Sequence, residues 1–155
     1  MTPNSDLVDC IMYVMERAFD PAFGEAWNRR QVSDALTMPS TRALVVDAKG
    51  HLIESDSAQA AGFVLTRSAA DEEELLLIAV DPRHRDNGLA KLLIDFLFIS
   101  ARSRGVTRIF LEMRKGNPAL HLYERVGFHP IGERPDYYRM KDGTKLDAIT
   151  FARSI

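Results

Sequence analysis

Residues 80–93, V-D-P-R-H-R-D-N-G-L-A-K-L-L, constrain the fold of this chain more than any other stretch. The apolar run at 75–80 comes directly before, and because it is short and ends at Asp81-Pro82 it predicts a buried strand. Apolar residues at helical spacing follow from Leu89 to Leu97 and predict a helix. The first N–H groups of a helix lack intrahelical partners, and its dipole favours negative charge. A strand, a basic turn with a glycine and a helix N-terminus therefore predict an anion site.

Composition narrows the classes of function that this chain can have. Its 155 residues fit one domain of ordinary size, and with 46% hydrophobic residues they can bury a core, so we expect a single domain over 1–155. A net charge of −2 gives no reason to expect a nucleic acid as the main partner. No apolar run is long enough to span a membrane, so we expect no membrane partner. The start of the chain lacks the features of a signal peptide, and the single cysteine, Cys10, excludes an internal disulfide, which together predict a cytoplasmic protein.

Helical and strand patterns alternate along the rest of the chain. Helices are predicted from Ser5 or Asp6 to Ala18, over 25–36, from Leu89 to about Ser103, and from Gly116 or Asn117 onward. Strands are predicted at 42–47, 58–67, 75–80, 107–113, 128–132 and 146–152. The three acids at 72–74 are interpreted as the solvated start of a strand. This alternation predicts a mixed α/β or α+β sheet.

The predicted anion loop carries a recognisable spacing, Arg85-x-x-Gly88-x-Ala90. This spacing resembles the R/Q-x-x-G-x-G/A loop with which GNAT acetyltransferases bind the pyrophosphate of coenzyme A. An alternative is a helix N-terminus with a glycine turn and a solvated basic patch. The resemblance implies acetyl-CoA as co-substrate, contacted by Arg85, Asp86, Asn87, Gly88, Leu89 and Ala90. It also implies the GNAT fold, a mixed central sheet flanked by helices. Because only residues 1–4 precede the first predicted helix, we expect the family's first edge strand to be missing or vestigial.

A second resemblance lies at 111–128, L-E-M-R-K-G-N-P-A-L-H-L-Y-E-R-V-G-F. This segment is similar to the L-E-V-R-x-x-N-x-x-A-x-x-L-Y-x-x-x-G-F stretch of the bacterial RimI type within the GNAT family. The stretch R-P-D-Y-Y at 134–138, with the later D-G and D-A pairs, is similar to the ending of the same group. That group acetylates the N-terminal alanine of a small-subunit ribosomal protein. The resemblance therefore implies a protein or peptide N-terminus as acceptor.

Two residues in this segment fit acetyl transfer. The attacking amine must lose a proton, and an α-amine with a pKa of about 8 is neutral more often than a lysine at about 10.4. Glu112 lies near the end of a predicted strand and matches the general base of the family. Its alternative role is a surface carboxylate paired with Arg114. Tyr123 matches the general acid that protonates the departing sulfur, and its alternative role is an amphipathic core tyrosine.

Main-chain and amide groups complete the implied cofactor site. If the strand at 75–80 splays from its neighbour as GNAT strands do, N–H groups of Ile78, Ala79 or Val80 can stabilise the oxyanion. The same strand is expected to pair with the pantetheine arm. Asn117 matches an asparagine that hydrogen-bonds the cofactor, and it is equally suited to cap the following helix.

The spacing between two of these residues departs from the family. The family has Asn and Tyr seven positions apart, whereas Asn117 and Tyr123 are six apart. One missing residue inside a helix rotates it by about 100°. We expect the shortening to be absorbed at the helix start, so that Tyr123 points at the cofactor. Otherwise Tyr123 faces the core and another group supplies the proton.

The remaining predictions concern the acceptor and metals. Tyr137 and Tyr138 are predicted on a loop near the acceptor cleft, although core packing explains one of them equally well. The four histidines, at 51, 84, 121 and 129, lack metal-ligand spacing, and we expect no metal. Two other functions stay open: acetylation of a small-molecule amine, and coenzyme A binding without catalysis.

Overall fold

The computed structural model describes residues 5–19 and 24–155 and contains a seven-stranded sheet in the order β2-β1-β3-β4-β5-β7-β6. The helices are α1 (Ser5–Ala18), α2 (Arg29–Leu36), α3 (Leu89–Ser103) and α4 (Leu120–Arg125), and the strands are β1 (Thr41–Asp47), β2 (Leu52–Ile53), β3 (Ala60–Ala69), β4 (Glu72–Val80), β5 (Arg108–Arg114), β6 (His129–Arg139) and β7 (Lys145–Ser154). Short 3-10 turns lie at Ser57–Gln59 and Pro82–His84. In the described part of the chain β4 and β5 run parallel and the other paired strands antiparallel. The mixed sheet confirms the predicted fold class.

Each face of the sheet carries its own hydrophobic core. On one face α1 buries Val8, Ile11 and Met15 against residues of β1 and β3. On the other face α3 buries Leu93 and Leu97 against β5 and α4. The three- and four-residue spacing of these side chains gives each helix one apolar stripe. Helices thus cover both faces, and the ends of the strands are left for the loops that form the site.

Helix α2 starts later than its sequence pattern predicts. Asn28 is the N-cap: its Oδ1 accepts a hydrogen bond from Gln31 N, and Gln31 Oε1 accepts one from Asn28 N, both at 2.8 Å. This reciprocal capping box satisfies two N–H groups and begins the helix at Arg29. The prediction that the helix spans residues from Glu25 was wrong, and Glu25 and Trp27 lie in the connection between α1 and α2.

The sequence predicted that the three acids at the start of β4 are solvated, but one of them is not. Glu73 is completely buried, and both of its carboxylate oxygens accept hydrogen bonds from Arg104, at 2.7 and 3.1 Å. The pairing of β4 with both β3 and β5 at this point removes Glu73 from water. A buried carboxylate needs such a partner, and the arginine comes from the end of α3. The prediction of a solvated strand start was therefore wrong for Glu73.

One further boundary differs in a way that affects the site. Strand β6 extends to Arg139 and pairs with β7, so that Tyr137 and Tyr138 lie in a strand. The prediction of a loop at these two tyrosines was wrong, because pairing with β7 resumes after a bulge between Arg134 and Tyr138.

The expected loss of the first edge strand concerns residues 1–4, which lie outside the described residues. Over 5–19 and 24–155, no helix is long and apolar enough to cross a membrane.

Candidate active site

The parallel strands β4 and β5 separate beyond their first three paired residues. Pairing joins Glu72–Glu74 to Arg108–Phe110, and no further pair follows between these strands in the described part of the chain. The register of β3 with β4 shifts once, where Leu65 and Thr66 face Leu77 and Leu75, so Leu76 forms a bulge. Because both strands end at the same edge of the sheet, a wedge opens there. We call the opening between residues 75–80 of β4 and 111–114 of β5 the β4–β5 gap.

The alternation of main-chain groups along β4 determines which of them face the gap. Asp81 N donates to Ala61 O at 2.8 Å, which makes this a hydrogen-bonded pair with β3. Successive residues of a strand point their N–H and C=O groups to opposite sides. Ile78 and Val80 consequently direct theirs into the β4–β5 gap, whereas those of Ala79 face β3. The gap is lined by main-chain groups that a strand-like ligand can pair with.

The loop after β4 ends in an open helix N-terminus. Gly88 is the N-cap of α3 in the left-handed region, with φ 77° and ψ 11°, and in the described structure no side chain caps it. Leu92 N bonds to Gly88 O, so the N–H groups of Leu89, Ala90 and Lys91 have no partner within the helix. A Cβ at Gly88 would have no described atom within 4 Å. The N-terminus of α3 is therefore accessible to an anion.

The basic residues of this loop are held by other parts of the protein. Arg83 donates to both carboxylate oxygens of Asp81, at 3.2 and 2.8 Å, and to the hydroxyl of Tyr13 at 3.2 Å. The hydrogen bonds from Arg83 lower the pKa of the buried Asp81 carboxyl to about 2. Arg85 donates to Ala18 O at 2.9 Å. These bonds attach the loop to the C-terminal part of α1.

Glu112 lies on β5 two residues beyond the last pair with β4. Its side chain is 20% exposed, and its Oε2 accepts a hydrogen bond from Thr150 Oγ1 at 3.4 Å. Arg134 Nε on β6 lies 3.7 Å from the same oxygen. Since Thr150 faces Glu112 in the register of β5 with β7, these side chains share one face of the sheet. Glu112 is thus a partly buried carboxylate near the mouth of the gap.

Tyr123 lies on α4, against the opposite face of the sheet from Glu112. It is 5% exposed and packs edge-on against Phe128, with ring centroids 5.7 Å apart and planes at 70°. Burial, followed by the charge of Glu25, raises the pKa of the Tyr123 hydroxyl above its usual value. The phenol therefore stays protonated at neutral pH. Its ring belongs to the hydrophobic core on this face, which is the alternative role that the sequence left open for Tyr123.

The start of α4 is preceded by a turn around Pro118. Asn117 Oδ1 accepts a hydrogen bond from Ala119 N at 2.9 Å, and Leu120 N bonds to Asn117 O at 3.1 Å. This turn around Pro118 delays the α-helix to Leu120, so the predicted start at Gly116 or Asn117 was wrong. The side-chain oxygen of Asn117 caps the turn, which leaves its NH₂ group as the donor for a ligand.

Tyr137 and Tyr138 form an edge-to-face pair on β6. Their ring centroids are 5.2 Å apart, and the guanidinium of Arg134 lies 5.0 Å from the ring centroid of Tyr137. Tyr137 is exposed and Tyr138 is partly buried. Burial raises the pKa of Tyr138 to about 12, with a further contribution from the charge of Glu112. Tyr138 and Glu112 therefore belong to one electrostatic environment.

Sequence reasoning missed one member of this environment, the carboxylate of Glu25. Glu25 Oε1 lies 3.5 Å from Nε of Arg114, whose side chain is only 11% exposed. The connection between α1 and α2 brings this carboxylate to the end of β5. The two residues are far apart in the sequence and Glu25 belongs to a predicted helix, so no local pattern indicated their contact.

A separate cleft lies at the other end of β5. It has a volume of about 560 Å³ and is lined by Arg108, His129, Ile131 and Arg153 among others, none of them a predicted site residue. In the described residues no group of three or more His, Cys, Asp or Glu side chains could hold a metal ion.

The known proteins that this chain resembles are acetyltransferases. A family model described as "Acetyltransferase (GNAT) family" matches residues 12–128. The ribosomal protein bS18-alanine N-acetyltransferase of Haemophilus influenzae is 35% identical over 101 residues, which cover 65% of this chain and 68% of that enzyme. The Escherichia coli K12 enzyme of the same name is 40% identical over 96 residues, covering 61% and 64%. The aligned segments thus span about two thirds of these curated relatives.

A solved structure extends the similarity to nearly the whole chain. The crystal structure of the ribosomal-protein-S18-alanine N-acetyltransferase from E. coli matches with a TM-score of 0.77 and 29% identity. The match covers 96% of this chain and 87% of that one.

Proposed function

The chain belongs to the GNAT acetyltransferase family and is an acetyltransferase, and from that premise we propose that it transfers the acetyl group of acetyl-CoA to the N-terminal α-amine of a protein. The proposed acceptor is the N-terminal alanine of a small-subunit ribosomal protein, the substrate class in the names of the relatives. The observation that carries the proposal is the β4–β5 gap, which opens beside Glu112 and has unpaired main-chain groups on its β4 side.

The described residues fit acetyl-CoA, which supplies an activated thioester. The N–H groups at the start of α3, with the loop 85–90, would hold its pyrophosphate, because a helix N-terminus favours anions. The main chain of Ile78 and Val80 would pair with the pantetheine arm like an added strand. The NH₂ group of Asn117 would donate to the same molecule. Ala79 would contribute contact through its position between these two residues.

Glu112 is the proposed general base. Its carboxylate accepts the proton that the α-amine loses during attack. Thr150 and Arg134 orient the carboxylate by contact with a single oxygen, Oε2. The other oxygen is then available to the amine.

Tyr123 is the proposed general acid, with the N–H groups of Ile78 and Val80 as oxyanion donors. The buried Tyr123 phenol carries a proton at neutral pH, and its proton goes to the departing sulfur. N–H groups that already point into the gap stabilise negative charge developing on the carbonyl oxygen without reorganisation. The base and acid on opposite faces of the sheet allow the amine and the cofactor to enter from different sides.

Tyr137 and Tyr138 are the proposed contacts of the acceptor. Their rings lie beside Arg134, which contacts Glu112, so a peptide N-terminus that reaches Glu112 passes along them. Two aromatic rings with hydroxyls provide both apolar surface and hydrogen bonds for a peptide.

The testing experiment measures release of coenzyme A from acetyl-CoA with a peptide that begins Ala-Arg-Tyr. Wild type is compared with Glu112→Gln and with Glu54→Gln, an exposed carboxylate next to the edge strand β2. We expect turnover that requires the free α-amine and falls by about a hundredfold or more in Glu112→Gln, since general bases contribute on the order of 10² to 10⁴. Glu54→Gln should retain wild-type turnover.

Two results would contradict the proposal. If the protein acetylates free amines but no peptide that begins with Ala or Ser, it is a small-molecule N-acetyltransferase. Tight acetyl-CoA binding without turnover of any amine would identify a coenzyme A-binding module without catalysis.

A further inference from the structure

Glu25 forms a second carboxylate beside the proposed general base. It reaches the end of β5 from the connection between α1 and α2, and its side chain is 30% exposed. The proposed reaction assigns it no role. Its contact with Arg114, two residues beyond Glu112 on β5, makes it a candidate for recognition of the acceptor.

The sheet register places the charged neighbours of Glu25 on one face. Arg114 on β5 faces Ala148 on β7, which in turn faces Arg134 on β6. Glu112 lies two residues before Arg114 on the same strand, so all three charged side chains share this face. Glu25 contacts Arg114 from above the same face. Two carboxylates and two arginines therefore lie on one face of the sheet near the end of β5.

Neither carboxylate is tightly bound by its arginine. The distances are 3.5 Å from Glu25 Oε1 to Arg114 Nε and 3.7 Å from Glu112 Oε2 to Arg134 Nε. Charge-assisted hydrogen bonds between such groups are shorter, at about 2.7–2.9 Å. Both carboxylates therefore have capacity for a further cation.

The charge of Glu25 affects both the proposed acceptor contact Tyr138 and the proposed general acid Tyr123. Its charge contributes to the raised pKa of Tyr138, as does that of Glu112, and it also raises the pKa of Tyr123. Glu25 thus acts on the region between the proposed acid and the proposed acceptor contacts.

We propose that Glu25 is a specificity-determining residue that, together with Glu112, binds the acceptor in its protonated, cationic form. The inference rests on the proposed acetyl transfer. An α-amine with a pKa of about 8 reaches the enzyme mainly as an ammonium ion at neutral pH. The ammonium ion gives up one proton to solvent to become the attacking amine. Glu112 takes the second proton as the carbon–nitrogen bond forms, Tyr123 protonates the departing sulfur, and Glu25 retains the acceptor through contact with its nitrogen. The negative charge of Glu25 disfavours an acceptor peptide that carries an acidic side chain next to its N-terminal amine.

Glu25 would have a different effect if it only held Arg114 in place. Its loss would then disturb the strand ends and weaken every acceptor ligand alike. Recognition of the ammonium ion instead weakens ligands with a free amine and spares those whose amine is acetylated. The comparison of such a ligand pair separates the two roles.

The experiment measures binding to the coenzyme A complex by calorimetry, without turnover. The probes are a peptide that begins Ala-Arg-Tyr and its N-acetylated counterpart, and the proteins are wild type, Glu25→Gln and the control Glu54→Gln. At about pH 6.5, where the α-amine is charged, we expect Glu25→Gln to weaken the free-amine peptide about tenfold. That change corresponds to about 1.4 kcal/mol. The acetylated peptide should change by less than about twofold, as should both peptides in Glu54→Gln.

The outcomes distinguish this inference from the proposed function. Equal weakening of both peptides, or no weakening of the free-amine peptide, would overturn the role of Glu25. So would a wild-type protein that binds the two peptides equally at about pH 6.5, where the amine is charged. Selective weakening in a protein that turns over neither peptide would support ammonium binding and refute the proposed acetyl transfer.

Discussion

The two halves of β4 differ in what surrounds them. At Glu72–Glu74 the strand is paired on both sides and contains the buried Glu73, held by Arg104. From Leu75 to Val80 it keeps β3 and has no β5 partner. The first half pairs with strands on both sides, whereas the second half offers the main-chain groups of Ile78 and Val80 to a ligand. One strand thus anchors the sheet at one end and lines the proposed site at the other.

This difference has a physical cause that lies outside β4. Strand β5 pairs with β7 along its whole length, and β7 pairs with β6, so these three strands move apart from β4 as one unit. The parallel ladder between β4 and β5 holds the unit at its base. The Glu73–Arg104 pair joins the same end of β4 to the end of α3. We therefore expect substitutions at the base to affect stability and substitutions at the open end to affect turnover.

The largest effect tests the base of the wedge. Glu73→Gln leaves the Arg104 charge without its partner, and loss of one member of a buried pair costs about 3–5 kcal/mol. Because Arg104 keeps a side-chain exposure of 21%, we expect the lower end, about 3 kcal/mol, in the free energy of unfolding measured by urea.

The matched control is Glu72→Gln, whose carboxylate is 42% exposed and 3.5 Å from Arg108. Such an exposed pair contributes no more than about 1 kcal/mol. Equal effects of the two substitutions would show that burial of Glu73 does not anchor the sheet.

The second prediction tests the open end. Tyr123→Phe keeps the ring against Phe128 and removes the proposed proton donor. We expect kcat to fall by about a hundredfold, within the range for general acids, and the free energy of unfolding to change by less than about 1 kcal/mol. Steady-state kinetics and urea unfolding check this. An unchanged kcat would mean that Tyr123 serves only the core.

The third prediction concerns the junction between the open half and the loop. Asp81 has its pKa lowered to about 2 by Arg83, against about 3.9 in an unfolded chain. A lowered pKa stabilises the fold above the unfolded value, and the stabilisation is lost as pH falls towards the folded value. Asp81→Asn should therefore reduce the free energy of unfolding by about 1–2 kcal/mol above about pH 4, and the difference should shrink towards about pH 2. A difference that grows on acidification would contradict this origin.

The smallest effect concerns acceptor binding along β6. Tyr137→Ala and Tyr138→Ala should raise the KM for the peptide a few-fold and leave acetyl-CoA binding unchanged, because an interface side chain is worth on the order of 1 kcal/mol. Titration with both substrates checks this. Unchanged peptide kinetics in both variants would exclude these tyrosines as acceptor contacts.

Local signals predicted the elements that depend on neighbouring residues. Helix α3 was predicted from Leu89 to about Ser103, and it spans Leu89–Ser103. The loop before it was predicted as an anion site, and its helix N-terminus is open. Apolar spacing and glycine placement act within a few residues, so they can be read directly.

Elements that depend on distant partners were predicted less well. The prediction of a solvated strand start was wrong for the buried Glu73, because its partner Arg104 is at the end of α3. The prediction of a loop at Tyr137 and Tyr138 was wrong, because the pairing of β6 with β7 resumes there. The role of Glu25 had no sequence signal at all, since its contact with Arg114 arises only when the α1–α2 connection packs over β5.

The sequence alone determined the fold class, the family resemblance and the residue types available for acetyl transfer, because hydrophobic periodicity and motif spacing are properties of the chain itself. The tertiary structure decided how β4 and β5 separate, which N–H groups face the opening, and which carboxylates gather beside it. These features come from strand register and from contacts between distant segments, which exist only after the chain has folded.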